Sequence, residues 1–360
     1  MLKKLVLILL SAFLLTGCSS KILNKNVVTF SSWGSITEVE VLKKIISDFE
    51  QENPNIKIQF LHIPQNYFQK LHLLFASSTA PDVVFINNLN LPIYEKYLED
   101  LSEYIDEKKF HPVSIKSLTY QNKLLAIPRD VSSLVFYVNL DKTDLPKPDW
   151  TLNDLLTTSN TLKNKKTYAL SFEDEIYWAL PYLSYFTEPN LTNGISDEEL
   201  EGIEFYKSLQ EEYKFAPSKS QVGSSTLAQM FLDEKIVFYL SGRWMYPKIK
   251  EKADFNWGII NFPYGKGNQL IDSSGWAVTK KSKNKESAIK FVKYLSNEKS
   301  AKYFTQTGLV VSARIKASEN LNNQEHNEKV FLEVLKHSNP TIVDKNYKKT
   351  VDRINKLYFE

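Results

Sequence analysis

Three consecutive carboxylates (Glu173, Asp174 and Glu175), five histidines (His62, His72, His111, His326 and His337) and a single cysteine, Cys18, are the residues of this 360-residue chain whose types invite chemistry. Two carboxylates flanking a cleft could serve a retaining or an inverting glycosidase, although runs of acids are commonly solvated faces. The histidines fall in no HExxH or HxH spacing and read as structural. No GxSxG is present, so no nucleophile elbow is visible. The 11 glycines form neither a P-loop nor GxGxxG, the loops that bring backbone close to phosphate. One cysteine leaves no disulfide, CxxC pair or thiolate cluster. The expectation is therefore no catalytic residue, no metal and no cofactor. Aromatics carry more information: 21 Phe, 19 Tyr and 6 Trp exceed what a charged surface needs. Most must fill a core, and the remainder suit the walls of a binding cleft.

The elements that would hold those aromatics alternate. Val27–Phe30 is β-rich, and Thr37–Glu40 fits a capping box. Val41, Leu42, Ile45, Ile46 and Phe49 then recur at helical spacing. Asn53-Pro54-Asn55 stops that helix, and Ile56, Ile58 and Phe60 alternate as in a strand. Tyr67, Phe68, Leu71, Leu74 and Phe75 form another helix face, and Val83–Ile86 is a continuous apolar run suited to a buried parallel strand. This grammar reads as α/β. It recurs through strands at 134–138, 168–170, 236–240, 255–260 and 276–278. Helices open at Thr151 and Ser196, another carries Ala288, Phe291, Val292 and Leu295, and a last one spans Tyr347–Tyr358 with Val351, Ile354 and Leu357 on one face. Asp82 before its strand, Trp150 and Trp257 read as structural. Net charge is +3, from 45 basic and 42 acidic residues, too balanced to argue for nucleic acid.

At the start, Lys3-Lys4 precedes an apolar run from Leu5 to Leu15 that ends in Leu15-Thr16-Gly17-Cys18. A basic n-region, a short h-region and a small-residue cleavage site make a secretory signal, and the run is short for a membrane span. With cysteine at the cut it resembles a bacterial lipoprotein signal. That resemblance implies cleavage after residue 17, lipid on Cys18, and an extracytoplasmic protein tethered to a membrane by residues 18–26. The rest of the chain is long enough for two domains of about 100–200 residues each.

Four further segments matter together: Ala80-Pro81-Asp82-Val83-Val84; Leu124–Asp130 with Phe136-Tyr137-Val138-Asn139; Phe238–Met245; and Ser274-Gly275-Trp276-Ala277-Val278 followed by Ser282–Ala288. In this order they resemble the family 1 extracellular solute-binding proteins of ABC importers, the maltose-binding-protein-like group. The resemblance implies an α/β, two-lobed periplasmic-binding-protein-like fold (type II), with two α/β domains joined by a hinge and a ligand cleft between them. The lobes would comprise 27–128 with 264–312 and 129–263 with 313–360, the hinge passing near Pro128-Arg129 and Phe262-Pro263. By the same resemblance, Trp33, Asn87, Asp130, Glu175, Tyr177, Arg243, Trp244 and Trp276 are the ligand-binding candidates. Arg243 stands where the family has Pro in its Gly-Pro-Trp motif. There it would suit an anionic solute, because a guanidinium grips such groups bidentately, or it serves the fold. No Trp follows Trp276, which leaves Tyr347 as the aromatic nearest the end of the pocket.

The expectation is a non-enzymatic, monomeric protein that captures a small-molecule solute and hands it to the transmembrane subunits of an ABC permease. A carbohydrate leads, with a sugar phosphate or glycerol phosphodiester behind it. Two other readings fit the same residues: a secreted polysaccharide-active lipoprotein enzyme, and a binding or scaffold lipoprotein with no transport role.

Overall fold

The computed structural model describes residues 26–163, 167–322 and 325–360; Cys18 and the apolar leader lie outside the described residues. The first β-α-β-α-β run is β1 (Asn26–Ser32), α1 (Ile36–Glu52), β2 (Ile56–His62), α2 (Tyr67–Ala76) and β3 (Val83–Asn87). Then come β4 (Ile127–Ser132), β5 (Val135–Asn139), α3 (Leu152–Leu162), β6 (Tyr168–Leu170), α4 (Ile176–Phe186) and α5 (Asp197–Glu211). The chain continues through β7 (Ile236–Ser241), β8 (Trp257–Asn261), β9 (Gln269–Val278), α6 (Lys285–Leu295), β10 (Val311–Ser312), β11 (Ser338–Pro340) and α7 (Tyr347–Tyr358).

The strands form two main sheets. One has the order β10-β4-β9-β3-β1-β2, with β11 added along β9; the other has the order β8-β5-β7-β6. In the first, β1 runs parallel to β2 and β3, while β9 runs antiparallel to β3 and β4. Val83–Ile86 are buried to a residue, as a strand covered on both faces must be. Asp82 knots this sheet from outside. Its Oδ2 accepts from the Thr29 amide at 2.8 Å and the Thr29 hydroxyl at 2.7 Å, and Oδ1 accepts from the Ser282 hydroxyl at 2.6 Å.

Local signals fix the helices. Capping boxes form at Thr151–Asp154 and Ser196–Glu199. The one expected at Thr37–Glu40 sits two residues earlier, where Ser35 Oγ accepts from the Glu38 amide at 3.3 Å and Glu38 Oε2 accepts from the Ser35 amide at 2.9 Å. Helix α1 buries Val39, Leu42, Ile45, Ile46 and Phe49. The Phe49 and Phe291 rings meet at 5.0 Å and Phe291 meets Phe30 at 5.3 Å, under the first sheet. Each buried phenylalanine there contributes roughly 1.5–3 kcal/mol. A second core gathers Phe136, Trp150, Phe238, Tyr182 and Tyr206 around the other sheet. Trp150 and Trp257 are buried. On α7, Ile354 is buried but Leu357 is 62% exposed, so the apolar face expected there covers less than the sequence spacing implied.

The two sheets are joined through short passages. Ile127–Ser132 is paired with β9 along its length, so the first passage falls at residues 133–134, not near Pro128-Arg129. The second follows β8, and β9 starts by pairing with β11 before it enters the large sheet at Asp272.

Candidate functional site

The strand directions set the site. β1, β2 and β3 are parallel, and two antiparallel pairings bring β4 into the same sense, so Ser32, His62, Asn87 and Ser132 end on one edge of the large sheet. In the small sheet Leu170, Ser241 and Asn261 end on the edge where β5 begins, at Val135. Because only residues 133–134 separate Ser132 from Val135, the carboxyl edges of the two sheets adjoin at the hinge. Open α/β sheets bind ligands beyond those ends, where loops are free to carry function.

Trp33 leaves β1 at this edge. It is 46% exposed and stands edge-on to Phe85 at 6.0 Å. Trp244 follows β7 on the opposing lobe and is 37% exposed. Its ring lies over Gly242, whose carbonyl accepts from the Tyr137 hydroxyl at 3.0 Å. These are the two most exposed of the six tryptophans: Trp150, Trp257 and Trp276 are buried and Trp178 is half-buried.

Other candidates are occupied by the fold itself. Trp276 is 0% exposed and meets Phe30 at 5.4 Å and Phe85 at 5.8 Å. It faces the core, with Phe304 a further neighbour at 6.2 Å, because it sits inside a central strand covered on that face, so the expectation that it lines the cleft is corrected. Asp130 is buried, held by Arg129 Nε at 2.5 Å and the Ser274 hydroxyl at 2.8 Å. Arg129 in turn reaches Glu38 at 3.3 Å and lies 5.1 Å over the Phe85 ring. Asn87 caps the turn after β3, accepting from the Asn90 amide at 3.2 Å and its side chain at 2.8 Å. Arg243 is buried against Glu328, 2.7 Å away, with its guanidinium 3.8 Å above the Tyr246 ring. Tyr246 also donates to Glu328. The charge expected to face an anionic solute is thus matched within the protein.

Glu175 precedes α4 and is exposed, without a capping bond. With Glu173 and Asp174 it lines a shallow cavity on the second lobe, where Lys219 lies 3.1 Å from Asp174. Burial, then the neighbouring Glu175 and Asp174, push the Glu173 carboxyl up. Two residues on, Tyr177 turns to the hinge. Burial and the nearby Asp272 charge push its phenol far up, with Tyr347 and Glu175 adding to the shift.

Asp272 escaped the sequence. It lies on β9 opposite Ser132, where the chain enters the large sheet. Its Oδ1 accepts from Asn88 Nδ2 at 3.0 Å and from the Thr341 hydroxyl at 2.8 Å. Burial raises its pKa, against those two hydrogen bonds. Ser132, Tyr177, Gln269, Asp272 and Thr341 line one recess with Leu134, Leu180 and Pro181. An acid among aromatics at a hinge leaves no short motif by which the sequence could announce it.

Among the described residues no helix is long and apolar enough to cross a membrane. The family model of the bacterial extracellular solute-binding proteins matches residues 44–328. The multiple sugar-binding protein of Streptococcus mutans is 24% identical over 344 residues, 85% of this chain and 80% of its own length. The maltodextrin-binding protein MdxE of Bacillus subtilis is 25% identical over 368 residues, covering 91% of this chain and 84% of its own. The solved structure of the ABC substrate-binding protein Lmo0181 from Listeria monocytogenes, in complex with cycloalternan, superposes with a TM-score of 0.80 at 22% identity, over 93% of this chain and 92% of that one. Maltose-bound MalE3 of T. maritima superposes at 0.75 and 20% identity, over 92% and 93%. The fold is that of the maltose-binding-protein-like proteins, two α/β lobes about a cleft. With a family model matched over most of its length, the chain belongs to the bacterial extracellular solute-binding proteins.

Proposed function

We propose that this protein captures a carbohydrate in the cleft between its lobes and delivers it to an ABC-type permease, performing no chemistry on it. The observation that carries the reading is the pair of exposed tryptophans, Trp33 and Trp244, one at the carboxyl edge of each sheet. An indole kept in water is unfavourable unless something covers it, and the apolar face of a sugar ring is a natural cover, with polar groups nearby for its hydroxyls. Tyr177 and the exposed Glu175 supply such groups from the second lobe. The named relatives, a multiple sugar-binding and a maltodextrin-binding protein, support the same solute class. Lobe closure about the hinge would trap the solute and present a closed shape to the permease.

On this reading Leu15-Thr16-Gly17-Cys18 is a lipobox. The working form is then a monomer anchored through lipid on Cys18 outside the cytoplasmic membrane. On this reading the lobes comprise 27–128 with 264–312 and 129–263 with 313–360, except that residues 129–132 pair within the large sheet of the first lobe.

The test is a thermal-shift and calorimetric screen of the full chain against maltose, maltotriose, a maltodextrin, glucose 6-phosphate, glycerol phosphodiesters and a polyamine. A ligand at 100 times its Kd adds about 2.7 kcal/mol, a shift of roughly 2–4 °C or more at this size. Binding of a neutral sugar is the expected result. Silence across the neutral sugars, or release of reducing ends during incubation, refutes the reading.

A further inference from the structure

Two polar atoms of one recess at the hinge have no protein partner among the described residues. Asp272 spends Oδ1 on Asn88 and Thr341, and its Oδ2 has no partner among the described residues. The hydroxyl of Tyr177, which lines the same recess, likewise has none. Neither is a sealed, orphaned atom. No lysine, arginine or histidine among the described residues pairs with Asp272.

We propose that Asp272 is a specificity-determining contact of the solute site: its free oxygen accepts a hydrogen bond from one hydroxyl of a neutral sugar and turns away anionic solutes. The inference rests on the carbohydrate reading above and deepens it. Three features select a single hydroxyl. The recess lined by Ser132, Tyr177, Asp272 and Thr341 has room for about one water-sized oxygen, so a sugar ring cannot enter but a hydroxyl can. A carboxylate is an acceptor only, and the Tyr177 phenol can donate or accept, which together satisfy a hydroxyl's donor and a lone pair. A phosphate at the same place would bring negative charge against an uncompensated carboxylate, with no cation to offset it. Asn88 stands beside β3 in the first lobe and Thr341 follows β11, so the carboxylate is fixed by groups far apart in the chain before any solute arrives. That pre-set geometry is what gives a polar contact selectivity.

The test compares the full chain with Asp272→Asn by calorimetry, using maltose, maltotriose and a maltodextrin beside glucose 6-phosphate. Asparagine keeps an Oδ1 for Asn88 and Thr341, so the clasp survives while the charge and the free acceptor go. The expected result is a tenfold or greater loss of affinity for the neutral sugar, with the ratio of neutral to phosphorylated binding falling. Tyr177→Phe, which deletes a hydroxyl with no partner among the described residues, should cost about threefold and serves if Asp272→Asn fails to fold. If the wild type binds a neutral sugar and Asp272→Asn binds it equally well, the inference is overturned while the carbohydrate reading stands. If the wild type binds only the phosphorylated compound, or no sugar at all, both fall.

Discussion

The indole of Trp244 rests on the bare Cα of Gly242: a Cβ built at 242 would lie 2.0 Å from Cζ3 of that ring. The backbone at Gly242 is extended, with φ −101° and ψ −177°. The glycine is therefore required for room, not for its backbone angles. Any side chain at 242 would have to displace the ring.

Gly242→Ala should expel the indole while leaving the strands intact. We expect sugar affinity to drop by about 1–3 kcal/mol, the loss typical of a truncated aromatic anchor, and to match that of Trp244→Ala. Titration calorimetry of both variants checks this. Equal affinity in a folded Trp244→Ala protein would remove the ring from the site.

Trp33 should behave as the counterpart. If both indoles cover the same solute, its addition to the full chain shifts tryptophan fluorescence to the blue, and Trp33→Phe and Trp244→Phe each remove part of that shift. A change that persists in full in both variants would place the solute elsewhere.

Arg243 predicts a loss of stability in place of a loss of binding. It and Glu328 are 5% and 6% exposed, so removing one strands the other's charge. Breaking such a pair costs about 3–5 kcal/mol. Arg243→Ala should show a large fall in the urea midpoint. Replacing both residues by Met and Leu should restore much of it. Sugar affinity of the folded fraction should change little.

Asp272 gives a pH dependence of opposite sign to that of a salt-bridged acid. Burial holds its folded-state pKa above the unfolded value. Between those two values the native state binds more protons than the unfolded chain, so stability falls as pH rises through that window. Below it the carboxyl is protonated in both states and no penalty remains. Asp272→Asn without ligand should therefore melt higher than wild type at pH 7, with the gain vanishing near pH 3. A lower melting temperature at pH 7 would make Asp272 a structural residue. Stability gained with affinity lost is the pattern of a site held against the fold's preference.

Much of the fold was legible because its signals are local. The capping boxes at Thr151 and Ser196, the buried run at Val83–Ile86 and the final helix at Tyr347–Tyr358 each need only a few consecutive residues. The box at Ser35 was misplaced by two residues because Thr37 and Glu40 repeat the same spacing inside the first turn. The candidate site was less legible. Trp33, Trp244 and Trp276 all follow strands or lie in one, and nothing in composition says which face each ring takes. Trp276 lies within a central strand and packs against Phe30, Phe85 and Phe304 in the core, while the other two follow strand ends and keep contact with solvent.

The sequence by itself determined the α/β grammar, the resemblance to a two-lobed family and the scarcity of catalytic constellations, since each is written in residue type and short spacing. Only the tertiary structure decided which polar groups remain free. Arg243 meets Glu328, Asp130 meets Ser274 144 residues away, and Asp272 takes Asn88 across 184 residues yet keeps one oxygen unspent. Those choices are made by strand register and by which buried polar groups it brings together, and neither is set by neighbours in the chain.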